Sequence, residues 1–218
     1  MSFFAASAGA NEVAAWFLIG TIWEFVAALS VGISEACQIR VAKHLGRGKP
    51  EMAKQSALRS IRIVGILTVV GASIGWILRG SISKWFADDD TIVELMYNTL
   101  PIILLGTVAE GFGYVAYYII KGQGRFRIMT VTETAQCVVV TIPLAALMVF
   151  VLGFGVEGIA SSLMIGYLTS GTVLLSFVLT SDWDKIAREY NPGDEPGKQN
   201  SAVSCSSSSD HIFDFLMP

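Results

Sequence analysis

Residues 93–120 read VELMYNTLPIILLGTVAEGFGYVAYYII, and between Glu94 and Lys121 the single charge is Glu110. As a helix this stretch is about 40 Å long at 1.5 Å rise per residue, more than the hydrocarbon layer of a bilayer requires. The stretches on either side are alike. No charge lies between Ile63 and Arg79, and only Glu133 and Glu157 lie between Arg127 and Asp182. The 218 residues are 53% hydrophobic and 15% charged, against about 25% charge in an average soluble chain. Mean hydropathy is +0.58. Segments of that kind either form a core with no surface or face lipid, and lipid is the consistent choice.

Outward from residues 93–120, apolar lengths near 20 residues give five spans, at about 13–37, 56–78, 93–120, 128–152 and 156–179. Breakers separate them: Gly46, Gly48 and Pro50, then Gly122 and Gly124, then Gly153 and Gly155. The expected fold class is all-α, a polytopic membrane helix bundle with five transmembrane helices over residues 1–180. Residues 181–218 turn to Pro, Gly, Asp, Glu and Ser and read as a cytoplasmic, disordered tail, most clearly from Ser204 to Asp210. Met1 to Ala10 carries no positive charge, so no cleavable signal peptide is expected.

Lys and Arg orient the spans. The first and third loops and the tail carry thirteen of the fifteen basic residues, and the second loop carries Arg79 and Lys84. The basic side is therefore expected to be cytoplasmic, with the N-terminus and Asp88, Asp89 and Asp90 on the other side. Pro101 and Pro143 inside spans, and the small-residue pairs Gly71/Gly75 and Ser162/Gly166, suit close helix packing in a membrane.

Net charge is −3, which offers no electrostatic support for a nucleic-acid partner. Cys37, Cys137 and Cys205 form no disulfide framework, and with only His44 and His211 beside them no metal or cofactor is expected. Gly153-Phe154-Gly155-Val156-Glu157-Gly158 matches a dinucleotide fingerprint letter by letter. It joins two membrane-length segments with no βαβ unit around it, so it reads as a tight turn. No nucleophile–base pair suggests an enzyme.

The acids inside the spans are the candidates for function. A carboxylate near the bilayer centre costs on the order of 2.5–3.5 kcal/mol on insertion scales. Glu24 and Glu110 are expected at comparable depths, within one or two turns of each other, where burial lets a carboxyl take up and release a proton. Tyr114 and Tyr117 share the face of Glu110, and Trp23 adjoins Glu24 in sequence, with Trp16, Phe112 and Tyr118 nearby. Carboxylates among aromatic faces suit an organic cation. The candidate cation and substrate site is Glu110, Glu24, Tyr114, Tyr117 and Trp23. Glu35 and Glu133, beside Arg40 and Arg127, read as interfacial ion pairs, and Trp85 and Trp183 as interfacial anchors.

Arg40-Val41-Ala42-Lys43-His44-Leu45-Gly46-Arg47-Gly48, followed by Pro50 and Ala53-Lys54, resembles the multidrug and toxic compound extrusion (MATE) transporters. Leu100-Pro101 before Glu110-Gly111, then Lys121-Gly122-Gln123-Gly124, Ile142-Pro143-Leu144, Gly153 to Ile159 and Ser181 to Lys185 agree in order. Lys43 and Arg47 stand where that family has Asn and Ala. The resemblance covers about residues 8–190 and implies an incomplete C-lobe of a twelve-helix transporter, its eighth to twelfth helices. The N-terminal lobe and the seventh helix would be missing partners. It implies that Glu110 is the acidic position of the tenth helix, and that Glu24 matches a glutamate of the eighth helix in eukaryotic-type members.

The function expected is that of part of a secondary antiporter, exporting organic cations, drugs or small metabolites in exchange for protons, or sodium, as coupling ion. Its location would be a plasma, vacuolar or other organelle membrane. Two alternatives stay open. One is a truncated, non-transporting membrane protein that assembles or interferes with a partner. The other is a flippase-type exporter, for which basic residues lining the cavity are expected.

Overall fold

The computed structural model describes residues 10–86 and 89–190. Expectations that fall on residues 1–9, 87–88 and 191–218, the serine-rich stretch among them, lie outside the described residues. Among the described residues six helical segments follow one another: α1 (Ala10–Gly46), α2 (Pro50–Phe86), α3 (Asp90–Gly122), α4 (Phe126–Val151), α5 (Gly155–Leu179) and α6 (Trp183–Tyr190). The first five are long and apolar enough to cross a membrane. Among the described residues there is no strand.

Both α1 and α2 have 37 residues, about 55 Å at 1.5 Å each, where about 30 Å spans the hydrocarbon. They overrun the expected 13–37 and 56–78 at the first basic loop, and α2 also runs on past Leu78 to Phe86. Nothing breaks α1 until Gly48 at φ 65°, and Pro50 suits the first turn of α2 because its missing N–H would have no partner there. The helix α3 starts on Asp89, whose side chain accepts from the Thr91 N–H at 2.8 Å. Gly153 and Gly155, at φ 69° and 35°, make the tight turn between α4 and α5.

The two intramembrane prolines behave differently. Pro101 sits inside a continuous α3. Around Pro143, α4 alternates between α-helix at Phe126–Ala135 and Ile142–Ala146 and wider π-helix at Gln136–Thr141 and Leu147–Val151. A proline ring crowds the carbonyl four residues before it and donates no N–H. Five-residue hydrogen bonds, such as Ile142 N–H to the Cys137 carbonyl, take up the mismatch in a setting where backbone groups cannot turn to water.

The central element is α3, which packs against α5, α1 and α2. One apolar cluster, including Ile19, Trp23, Met96, Ile103 and Val156, fills one half of the bundle. A second, including Val41, Leu45, Val115, Ile119 and Leu174, fills the half toward the basic loops. Glycines set the crossings. A Cβ on Gly75 would come 2.7 Å from Leu104, and Gly166 packs against Gln136 and Thr141, so both small-residue pairs read in the sequence lie at helix contacts. Outward, Phe25, Ile77, Val139, Val151 and Leu179 are exposed, a surface that suits lipid. Hydroxyls on the spans, such as Thr21, Ser73 and Thr172, donate to carbonyls of their own helix one turn back.

The stretch after α5 departs from the expected tail. Residues 183–190 form a helix, and Trp183 is buried at 7% exposure rather than anchored at an interface. With Ile186 and Ala187 it packs into the cluster at the basic end, and the Tyr190 hydroxyl donates to the Gly122 carbonyl at 3.0 Å. The spacing of 183, 186 and 187 puts three apolar groups on one helical face, which the overall polarity of the stretch concealed.

Candidate functional site

Where α3 crosses α5, their backbones nearly touch. A Cβ on Gly113 would stand 3.6 Å from the Gly171 Cα, and one on Gly171 would stand 3.3 Å from the Ala109 carbonyl oxygen. That approach brings Tyr167, one turn before Gly171, beside Glu110, one turn before Gly113. From the other side α1 contributes Trp23, whose indole N–H donates to Glu110 Oε2. Trp23 and Tyr167 meet edge to face at 5.8 Å, so each ring limits the other's freedom. Glu110 itself is 4% exposed.

Two cavities share a wall made of Glu110, Tyr114 and Tyr167. The larger, about 480 Å³, extends along α1 past Trp16, Gly20, Trp23 and Glu24. The smaller, about 250 Å³, is lined from α3 by Gly113 and Tyr117, from α4 by Glu133 and from α5 by Ser170. Neither is lined by a Lys or an Arg among the described residues. An ionised Glu110 would therefore have donors near it but, among the described residues, no cation in these walls.

The five candidate residues of the sequence fall around these cavities. Trp23, Glu24, Glu110 and Tyr114 line the larger one, and Glu110, Tyr114 and Tyr117 the smaller. Glu24 is exposed on the outer wall while Glu110 is buried. Phe112 belongs elsewhere, packed on Gly65 of α2. The expected ion pairs at the basic end are replaced. Glu35 accepts from the Tyr118 hydroxyl at 3.2 Å, and the Lys121 ammonium lies 5.2 Å from the Tyr118 ring centre. Glu133 lines the smaller cavity, while Arg127 is exposed.

Tyr167 is the residue sequence reading overlooked. Its signal was present, since it is the single tyrosine in the apolar stretch 156–179. Its partner could not be read, because the Gly113–Gly171 crossing joins residues far apart in the chain.

Comparison with known proteins bears on the family and the fold. The family described as MatE matches residues 1–147. Multidrug and toxin extrusion protein 1 of Homo sapiens is 23% identical over 188 residues, covering 86% of this chain and 33% of that protein. Protein DETOXIFICATION 29 of Arabidopsis thaliana is 26% identical over 176 residues, covering 81% and 35%. The fold is similar to that of the eukaryotic MATE transporter AtDTX14, with a TM-score of 0.80 at 20% identity, over 84% of this chain and 41% of that one. The chain thus spans about a third of the length of the curated relatives it matches.

Proposed function

The chain belongs to the MatE family, and on that premise we propose that it forms the C-lobe portion of a secondary antiporter exporting organic cations in exchange for protons, with its basic loops in the cytoplasm. The observation that carries this reading is Glu110, buried between two cavities, held by Trp23 and faced by two tyrosines, with no basic side chain in either cavity wall. Proton and organic cation compete for one negative charge. Trp16, Trp23 and Tyr167 around the larger cavity offer ring faces to a cation, each worth about 0.5–2 kcal/mol. A switch between inward-open and outward-open packings then needs only that the protonated and cation-bound forms favour different ones. Sodium could balance the same carboxylate, and the experiment below separates the two ions.

Titration of the purified chain with tetraethylammonium, in buffers of different ionisation heat, counts protons exchanged on binding. Release of about one proton per cation, lost in Glu110→Gln, is the expected result. Binding without proton release, or release retained in Glu110→Gln, contradicts it.

A second reading has an observation of its own. Glu24 is exposed at mid-span, where lipid contact is costly, so a polar membrane segment is expected to cover it. On this reading the chain works by assembling with such a segment. Crosslinking from Glu24→Cys in native membranes, with capture of a membrane-spanning partner, is the check, and no crosslink is the result against it. The cavity walls, without Lys or Arg, lend the flippase-type reading no support.

A further inference from the structure

The two cavities reach Glu110 from different sides, and their linings differ. The larger is walled by Trp16, Trp23 and Glu24 and suits a bulky cation. The smaller is lined by a second carboxylate, the half-buried Glu133, on α4 two turns in from Phe126. Its volume of about 250 Å³, about half that of the larger cavity, has room for about eight waters at about 30 Å³ each. Once a cation fills the larger cavity, the opening left to the Glu110 proton is the smaller one.

We propose that Glu133 is the proton-relay residue of this site, so that cation and proton reach Glu110 by separate routes. This rests on the reading of Glu110 as the exchangeable carboxyl. In the transfer, the Glu110 O–H bond breaks and its electron pair stays as carboxylate. The Glu133 carboxylate takes up the proton, through the Tyr114 or Tyr167 hydroxyl or a water between them, and the pair keeps a net charge of −1. Glu133 then releases the proton to water on the side of the basic loops. The titratable groups facing Glu133 are Glu110, Tyr114 and Tyr117 from α3 and Tyr167 from α5, and no Lys, Arg or His lines the cavity to hold it permanently ionised.

The test is rate, not amount. The purified chain is mixed with tetraethylammonium in a stopped-flow instrument with a pH dye. Glu133→Gln is expected to slow proton release by about tenfold or more, the low end of what a positioned proton carrier supplies, with its amplitude kept. Glu133→Asp restores the rate. Formate added to Glu133→Ala restores it as well, which a merely structural residue would not show. Circular dichroism establishes that each variant keeps its helices. Fast release in Glu133→Gln, with Glu110→Gln silent, overturns the relay and leaves the antiporter reading standing. Release persisting in Glu110→Gln, or none from the unaltered chain, overturns both.

Discussion

Glu110 stands out in the sequence as the single charge between Glu94 and Lys121, while the groups that hold it had to be brought there by the fold. Tyr114 was legible, since one helical turn separates it from Glu110. Trp23 was legible as an aromatic near an acid, but the acid next to it in sequence is Glu24, and its N–H reaches Glu110 on another helix. Glu133 was misassigned to Arg127 because spacing along one helix says nothing about a cavity on the neighbouring one. The indole bond gives a prediction at this scale. Trp23→Phe keeps an aromatic ring but removes a donor worth about 1.5–3 kcal/mol to an ionised acceptor. The ionised state is then harder to reach, and tetraethylammonium affinity at neutral pH should fall by about tenfold or more. Calorimetric titration reads this directly, and unchanged affinity would remove the indole from the site.

Among the elements, the crossing of α3 and α5 decides whether Tyr167 reaches Glu110 at all. Its tightness depends on two glycines whose added Cβ atoms would lie 3.3–3.6 Å from facing backbone. Gly171→Val should cost on the order of 1–3 kcal/mol through overpacking and lower the thermal unfolding midpoint in detergent. Gly32→Ala, where an added Cβ meets nothing within 4 Å, should leave the midpoint unchanged or raise it slightly. Equal effects at both positions would contradict the close approach. Glycine spacing announced small-residue packing in the sequence, but not which helix lies opposite. Element ends were legible only where a breaker stands. Apolar length marks the lipid-crossing part of α1 and α2, and the helices run on through their charged ends, α1 to Gly46 and α2 from Pro50 to Phe86.

The whole molecule was the most legible of the three scales. Five long apolar segments have few arrangements open to them in lipid, because every backbone group must be satisfied within the helix. Composition concealed α6, although the spacing of Trp183, Ile186 and Ala187 follows the helical period; what that face packs against lies elsewhere in the chain. The orientation proposed for the bundle rests on its basic loops. In a cysteine-free background, Lys49→Cys and Lys185→Cys should react with a membrane-impermeant maleimide only from the cytoplasmic side, and Asp90→Cys only from the opposite side. The reverse pattern would turn the bundle over.

Competition of proton and cation for Glu110 is the claim on which the rest depends, and linkage makes it measurable as a slope. If one proton leaves for each cation bound, affinity must rise with pH, by about tenfold per unit where Glu110 is protonated in the free chain. The most direct measurement is the dissociation constant of tetraethylammonium from the purified chain across a range of pH, beside that of Glu110→Gln. A tenfold-per-unit rise in affinity that flattens in Glu110→Gln is the result expected. An affinity independent of pH in the unaltered chain, or the same slope in the variant, would contradict it.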